Sequence, residues 1–267
     1  MVEGLENFRE NFKEFADCFT VIGGTACEIL MNEQDIDLAT DEDVEELDKI
    51  QHAEDKSNMM EYFTPEYLYY TSEYNGPKSA AESCEVTYDE LKKISRLETP
   101  QNVLAVFKMP NYAFSGINPD ELSLALDGIQ DAGNMGTIIR IADWFGINNI
   151  FASKNTVDVF NPKVVQATMG ALSRVRVHYV DLPLELSKVE TPIYVTALDG
   201  DNINKSSLSK NGVIVMGNEG NGVSNEVMAI ANKKLLIPSY PPERPTSESL
   251  NVSVATAIVV SMFRSQI

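Results

Sequence analysis

The sequence predicts an α/β protein. A mainly parallel sheet with helices on both faces fills residues 122–267, preceded by a smaller, atypical α+β region. Three observations carry this. From Leu122 onward, short apolar segments alternate with segments of helical periodicity, the pattern of a parallel sheet covered on both sides. Charge is uneven: residues 1–83 hold 21 acidic and 5 basic residues (net −16), residues 84–267 hold 19 and 16 (net −3). The 267 residues are 43% hydrophobic and 23% charged, ordinary globular usage with material for a sizeable core.

The elements follow from local patterns. Leu5, Phe8, Phe12 and Phe15 recur at helical spacing, so residues 3–18 read as an amphipathic helix. Cys18 to Ile22 reads as a short buried strand ending at Gly23-Gly24, and Ala26 to Met31 as a helix. Residues 32–83 combine an acidic run with five tyrosines and show no clear period. Val86 to Tyr88 reads as a short strand. Tyr88 to Leu97 reads as a helix capped by Thr87, with Glu90 three residues on. Val103 to Lys108 is a β-branched and apolar strand. Pro110, Pro119 and two Asn then mark a linker. In the second half the expected strands are Leu122–Leu126, Asn149–Ala152, Arg176–Tyr179, Ile193–Ala197, Val213–Met216 and Lys234–Ile237. The expected helices are Met135–Phe145, Pro162–Leu172, Asn225–Ala231 and Asn251–Arg264, with Trp144 and Phe145 assigned to the core.

Composition excludes several classes. A formal net charge of −19 opposes general electrostatic grip on nucleic acid or on anionic membranes. Splitting the charge confines that objection to residues 1–83. Arg140, Arg174, Arg176, Lys154 and Lys163 remain as a candidate local basic face. Cys18, Cys27, Cys84, His52 and His178 are scattered without metal-ligand spacing, so no metal is expected and a reducing cytoplasm fits. No signal peptide is visible at the acidic N-terminus, and the apolar run Val252 to Phe263 is too short to span a bilayer.

Ligand groups in such a sheet belong at the carboxyl ends of strands. Three segments there carry glycines and small polar residues: DGIQDAGNMGTIIRIADWFG (127–146), VIVMGNEGNGVSNE (213–226), and LLIPSY (235–240) followed by SESLNVSVATAIV (247–259). The first brings Asn134 and Arg140, the second surrounds Glu219 with Gly217, Gly220 and Gly222, and the third opens the last helix with Ser249 and Asn251. Each has a plainer reading: Glu219 as a charge at a helix start, Ser249 and Asn251 as N-caps.

On these motifs, in this order, residues 122–264 resemble the SpoU, or TrmH-type, RNA 2′-O-ribose methyltransferases. The resemblance implies a SPOUT-type α/β fold knotted at its C-terminal helix, S-adenosyl-L-methionine as cofactor, tRNA or rRNA as substrate, and a homodimer with sites at or near the subunit interface. Carried over by position, the catalytic set is Arg140, Asn134, Glu219, Ser249 and Asn251. The cofactor contacts are Leu198, Gly217, Gly222, Ile237 and Leu250. The loop from Ile237 to Ser249 is longer than the family's and contains Pro241, Pro242 and Pro245. The family's proposed base is Arg140, but a guanidinium stays protonated, with a pKa above about 12. Pairing a neighbouring phosphate and stabilising charge on the 2′-oxygen suits it better.

Residues 84–110 resemble the tail of the family's substrate-recognition domain, in VTYDELKKIS and ETPQNVLAVF. The expected organisation is an acidic region 1–83, that remnant at 84–110, a linker at 111–121 and the catalytic domain at 122–267. Residues 8–38 resemble the opening of an AbiEii-type nucleotidyltransferase, with Gly23-Gly24-Thr25 for triphosphate and Asp35 and Asp37 for Mg²⁺. Two alternatives to a methyltransferase follow: a non-catalytic RNA- or cofactor-binding knot protein, and a nucleotidyltransferase centred on Asp35 and Asp37.

Overall fold

The computed structural model describes residues 19–22, 65–76, 78, 80, 82–95, 101–108, 112–241 and 249–265. The chain divides into two compact units, Met1–Asn111 and Tyr112–Ile267.

The first unit holds a four-stranded sheet in the order β1-β4-β2-β3, built from β1 (Phe19–Ile22), β2 (Pro65–Tyr70), β3 (Glu82–Glu85) and β4 (Val103–Lys108). β4 runs antiparallel to β1 and β2, and β3 is parallel to β2. Helix α1 (Tyr88–Ile94) starts at a capping box. The Glu90 amide donates to Thr87 Oγ1 at 3.3 Å, and the Thr87 amide donates to Glu90 Oε2 at 2.7 Å. The Thr87 amide, and next the Thr87 hydroxyl donating to the same oxygen at 2.8 Å, hold the Glu90 carboxyl below its usual range. Leu91 and Ile94 bury one face of α1 against Tyr69, Val86, Leu104 and Val106.

The second unit is a six-stranded parallel sheet in the order β10-β8-β9-β5-β6-β7. Its strands are β5 (Leu122–Asp127), β6 (Asn149–Ser153), β7 (Arg176–Val180), β8 (Ile193–Asn202), β9 (Gly212–Gly217) and β10 (Lys233–Leu236). The helices are α2 (Ala132–Trp144), α3 (Pro162–Ala167), α4 (Leu182–Leu186), α5 (Asn225–Ile230) and α6 (Val252–Ser265). Central β5 is buried at every residue, as a strand covered on both faces must be. Alternation divides the core. Ala125, Phe151, Val195 and Val215 join Leu182 and Leu186 of α4 and Val227 of α5. Tyr194, one residue from Val195, points to the other face and meets Phe263 of α6 edge-on, with ring centroids 4.8 Å apart. On that side α2 packs closely on α3, because a Cβ at Gly136 would overlap Ala167.

Several expectations are corrected. The strand placed at 86–88 lies at Glu82–Glu85, and Thr87 is the cap of α1. The helix expected to reach Leu97 ends at Ile94. The helix expected over 162–172 stops at Ala167, because Met169 and Gly170 take positive φ (50° and 81°), and a separate short turn follows at Ala171–Ser173. Strand β8 continues to Asn202. Trp144 is not core: it is 85% exposed. The expected helices at 3–18 and 26–31, and Gly23, Gly24, Thr25, Asp35 and Asp37, lie outside the described residues. So do residues 242–248, which lead into α6 and would define its threading.

Candidate active site

The strand order places a crevice between β5 and β9. From β5 the chain leaves through α2 toward β6. From neighbouring β9 it leaves through α5 toward β10, on the opposite side. Loops that diverge from adjacent parallel strands open a cleft at their carboxyl ends. Asp127 and Gly217 face each other in register there, so the first motif begins beside the glycine turn of the second.

Each motif is shaped by its own hydrogen bonds. Asp131 caps α2, its Oδ1 accepting from the Asn134 amide at 2.6 Å, which sets Asn134 in the first turn. Glu219 sits at the tip of a tight hairpin. Asn218 and Gly222 exchange backbone hydrogen bonds of 3.0 and 2.9 Å. A Cβ at Gly217 would overlap the Gly222 backbone, so only glycine allows the hairpin to close. Asn251 closes the first turn of α6, its Oδ1 accepting from the Ser253 and Val254 amides at 3.0 and 3.3 Å.

A chain of amides joins the three motifs. Asn251 Nδ2 donates to Asn134 Oδ1 at 2.9 Å, and Asn134 Nδ2 donates to Glu219 Oε1 at 2.5 Å. Chemistry fixes the orientation. An ionised carboxylate only accepts, so Asn134 must turn its amide nitrogen to Glu219 and its oxygen to Asn251. The helical N–H groups in turn hold the Asn251 oxygen. The amino-terminal ends of α2 and α6, which carry the positive ends of their dipoles, thus converge on the Glu219 carboxylate.

Two further residues support this chain and received no role from the sequence. Asn218 Oδ1 accepts from the Gly220 and Asn221 amides at 2.9 and 3.0 Å, while its Nδ2 donates to the Gly128 carbonyl at 2.8 Å. Asp127 Oδ2 accepts from the Ser224 amide at 2.8 Å. The signal was present: an Asn two residues before a Gly marks an Asx-type turn.

The other predicted positions fall as follows. Leu198, Gly217 and Ile237 lie at the carboxyl-end half or just past the ends of β8, β9 and β10, three neighbouring strands. Leu198 and Leu250 are 73% and 47% exposed, Ile237 is half-buried, and Gly222 has open space on its Cβ side. Ser249 is exposed beside Leu250. Arg140 makes no hydrogen bond to the network. Six residues after Asn134, it lies about 120° round α2 and about 9 Å along it. It is exposed, without a side-chain hydrogen bond or ion pair among the described residues.

The expected basic face is also thinner. Arg174 is committed to Asp143 through a two-pronged contact of 2.9 and 2.8 Å, and Arg176 lies over the Tyr112 ring, 5.3 Å from its centroid. His178 is enclosed by Phe114 and Phe151, both with ring centroids 5.7 Å away. Burial first and then Arg176 lower its pKa. Among the described residues no group of His, Cys, Asp and Glu is placed to hold a metal, and no helix is long and apolar enough to cross a membrane.

A switch-point cleft whose motif loops are knit by a carboxylate–amide chain is where an open α/β sheet of this class binds its ligand. Comparison with known proteins makes this specific. Residues 121–261, more than half the chain, match the profile of the SpoU rRNA methylase family. The chain is similar to the 23S rRNA (guanosine(2553)-2′-O)-methyltransferase RlmP of Bacillus subtilis, with 33% identity over 180 residues, 66% of this chain and 70% of that protein. Its fold matches a TrmH-family protein of Porphyromonas gingivalis, with TM-score 0.74 and 29% identity over 100% of this chain and 99% of that one. It also matches the AdoMet-bound rRNA methyltransferase of Sinorhizobium meliloti, with TM-score 0.68 and 26% identity over 82% and 87%. The chain belongs to the SpoU rRNA methylase family, and is an S-adenosyl-L-methionine-dependent RNA methyltransferase.

Proposed function

We propose that this chain methylates a ribose 2′-hydroxyl of ribosomal RNA in the cytoplasm. The observation that carries the reading is the hydrogen-bonded chain Asn251–Asn134–Glu219, which assembles all three family motifs at one cleft. The B. subtilis relative, named for ribose methylation of 23S rRNA, favours rRNA over tRNA.

The residues present fit S-adenosyl-L-methionine. Its adenine needs apolar walls, which Leu198, Ile237 and Leu250 offer, and a bulky ligand needs close approach to the backbone, which the open Cβ side of Gly222 allows. When bound, the cofactor supplies an electrophilic methyl group. The protein must then align the 2′-oxygen and accept its proton. Glu219 has the role of acceptor: Oε1 is held by Asn134, and Oε2 is available to the hydroxyl proton, directly or through water. Asn134 and Asn251 hold that carboxylate in one orientation. Arg140 pairs a substrate phosphate and stabilises negative charge on the 2′-oxygen. Since Arg140 starts about 120° round α2 from Asn134 and makes no hydrogen bond to the network of its own chain, the functional unit in this reading is a homodimer, with Arg140 of one copy completing the other's site.

The test is transfer of labelled methyl from S-adenosyl-L-methionine to rRNA by the purified full chain, followed by nucleoside analysis. A 2′-O-methylated nucleoside is expected. Label confined to a base would overturn the assignment of the hydroxyl.

A further inference from the structure

We propose that the turn Lys154-Asn155, at the carboxyl end of β6, grips the RNA backbone next to the target ribose, with the Lys154 ammonium and the Asn155 amide nitrogen donating to one phosphate. This deepens the reading of the chain as an RNA ribose methyltransferase and rests on it.

Sheet order sets the side from which RNA arrives. The positions read as cofactor contacts lie at β8, β9 and β10, whereas β5 adjoins β9 on its other flank and β6 follows β5. An acceptor oxygen must approach the methyl from the side away from the body of the cofactor. In this reading that side is the carboxyl end of β5 and β6, where the first motif stands beside the loop that follows β6.

Hydrogen bonds tie this loop to the first motif. The Gly128 amide donates to Ser153 Oγ at 2.8 Å, and the Val157 amide donates to the Ile129 carbonyl at 2.8 Å. Tyr179 on β7 braces the loop further along. Its hydroxyl donates to the Val157 carbonyl at 2.5 Å and accepts from the Val159 amide at 2.7 Å. A Cβ on Gly128 would stand 3.1 Å from Asn155 Nδ2 and 3.8 Å from Asn218 Cβ. Asn155 and Asn218, the neighbour of Glu219, therefore flank one point at the mouth of the site.

The turn leaves two donors for a ligand. The Thr156 amide closes it on the Ser153 carbonyl at 3.0 Å, which makes Lys154 and Asn155 its central residues, and both are exposed. Ser153 Oγ gives its proton to Asn155 Oδ1 at 2.6 Å. That fixes the amide with its oxygen inward, and Nδ2 has no hydrogen-bond partner among the described residues. Lys154 has no ion pair or hydrogen bond among them either. The one acid of the loop, Asp158, turns its Oδ1 to the Phe160 amide at 2.9 Å. An unpaired cation beside an oriented amide is a donor set for phosphate. Arg174 and Arg176, by contrast, are engaged within the protein.

The test is binding of the full chain to unmodified 23S rRNA across a series of salt concentrations. Lys154→Ala is expected to weaken binding roughly tenfold at low salt, the order of one lost charge-assisted hydrogen bond. It should also lower the slope of log affinity against log salt by about 0.7–0.9, the release expected of one phosphate contact. A merely structural role would not move that slope. Lys154→Arg should keep it. Asn155→Asp preserves the oxygen that Ser153 bonds and replaces only the donor, so a carboxylate then meets the phosphate and binding weakens. Cofactor affinity, measured by titration, should stay within about twofold in all three variants. An unchanged slope in Lys154→Ala, or unchanged RNA affinity in Asn155→Asp, would overturn the proposal. So would lost cofactor binding, which assigns the turn to the cofactor, or a changed oligomeric state in sedimentation, which assigns it to a second copy. Any of these alongside ribose methylation by the wild type leaves that reading standing, whereas absence of transfer by the wild type strikes the reading itself.

Discussion

Asn134 donates from its side-chain nitrogen to Glu219 at 2.5 Å, across 85 residues of sequence, while its oxygen accepts from Asn251. One amide thus reads out two motifs at once, and the site can be dismantled one atom at a time.

Glu219→Gln keeps an oxygen that can accept from Asn134 but removes the charge. With Glu219 as proton acceptor, kcat falls by about a hundredfold or more, and cofactor affinity, measured by titration, stays near normal. Turnover close to wild type would remove Glu219 from that role.

Asn134→Asp places a second carboxylate against Glu219 and deletes the donor between them. Like charges at this distance repel, so the loss in kcat exceeds that of Glu219→Gln. Steady-state kinetics on the two variants side by side check the order.

Arg140→Lys keeps a positive charge and discards the planar fork. A drop in kcat of about 10²–10³ is expected, the scale of one lost donor to a developing oxyanion. A lysine variant with normal turnover would show that charge alone suffices.

Arg174 separates structure from RNA contact. Its fork to Asp143 is only partly exposed, so Arg174→Ala destabilises by about 1 kcal/mol. The melting temperature should fall while the KM for RNA moves less than about twofold. A large rise in KM would return Arg174 to the substrate surface.

His178 gives a pH signature. Burial and Arg176 lower its folded-state pKa below the ordinary 6.5, so the folded state binds fewer protons than the unfolded one. Its contribution to stability is complete above about pH 6.5 and is lost as pH falls through the window down to the lowered value. His178→Phe, which suits its aromatic surroundings, should flatten the fall in melting temperature between about pH 7 and about pH 5. An unchanged slope would assign that fall to other groups.

Much of the second unit was legible because parallel strands buried on both faces write continuous apolar runs, as at Leu122 to Leu126. The motif residues were legible because Gly217, Asn134 and Asn251 each meet a local demand for a turn or a cap. What escaped followed other rules. Hydrophobicity assigns Trp144 to the core, whereas the buried stripe through Met135, Ile138, Ile139 and Ala142 puts it two residues off, nearly opposite. The Arg174–Asp143 pair spans 31 residues, beyond any local pattern. Helix α4 has five residues, too few for periodicity, although Asp181 as its cap and Pro183 inside its start were usable signals. Strand β3, Glu-Ser-Cys-Glu, is an exposed edge with no apolar alternation, while the β-branched Val86 and Thr87 next to it carry the local strand signal. That Arg140 starts on another side of α2 from Asn134 is not written in motif spacing, which reports order along the chain, while helical rotation decides direction.

The most direct test is ribose-methylation mapping across rRNA and tRNA from cells with the gene, without it, and without it but supplied with Glu219→Gln. One or a few 2′-O-methyl sites in rRNA are expected to vanish with the gene and not to be restored by the variant. Identical maps in all three would contradict it.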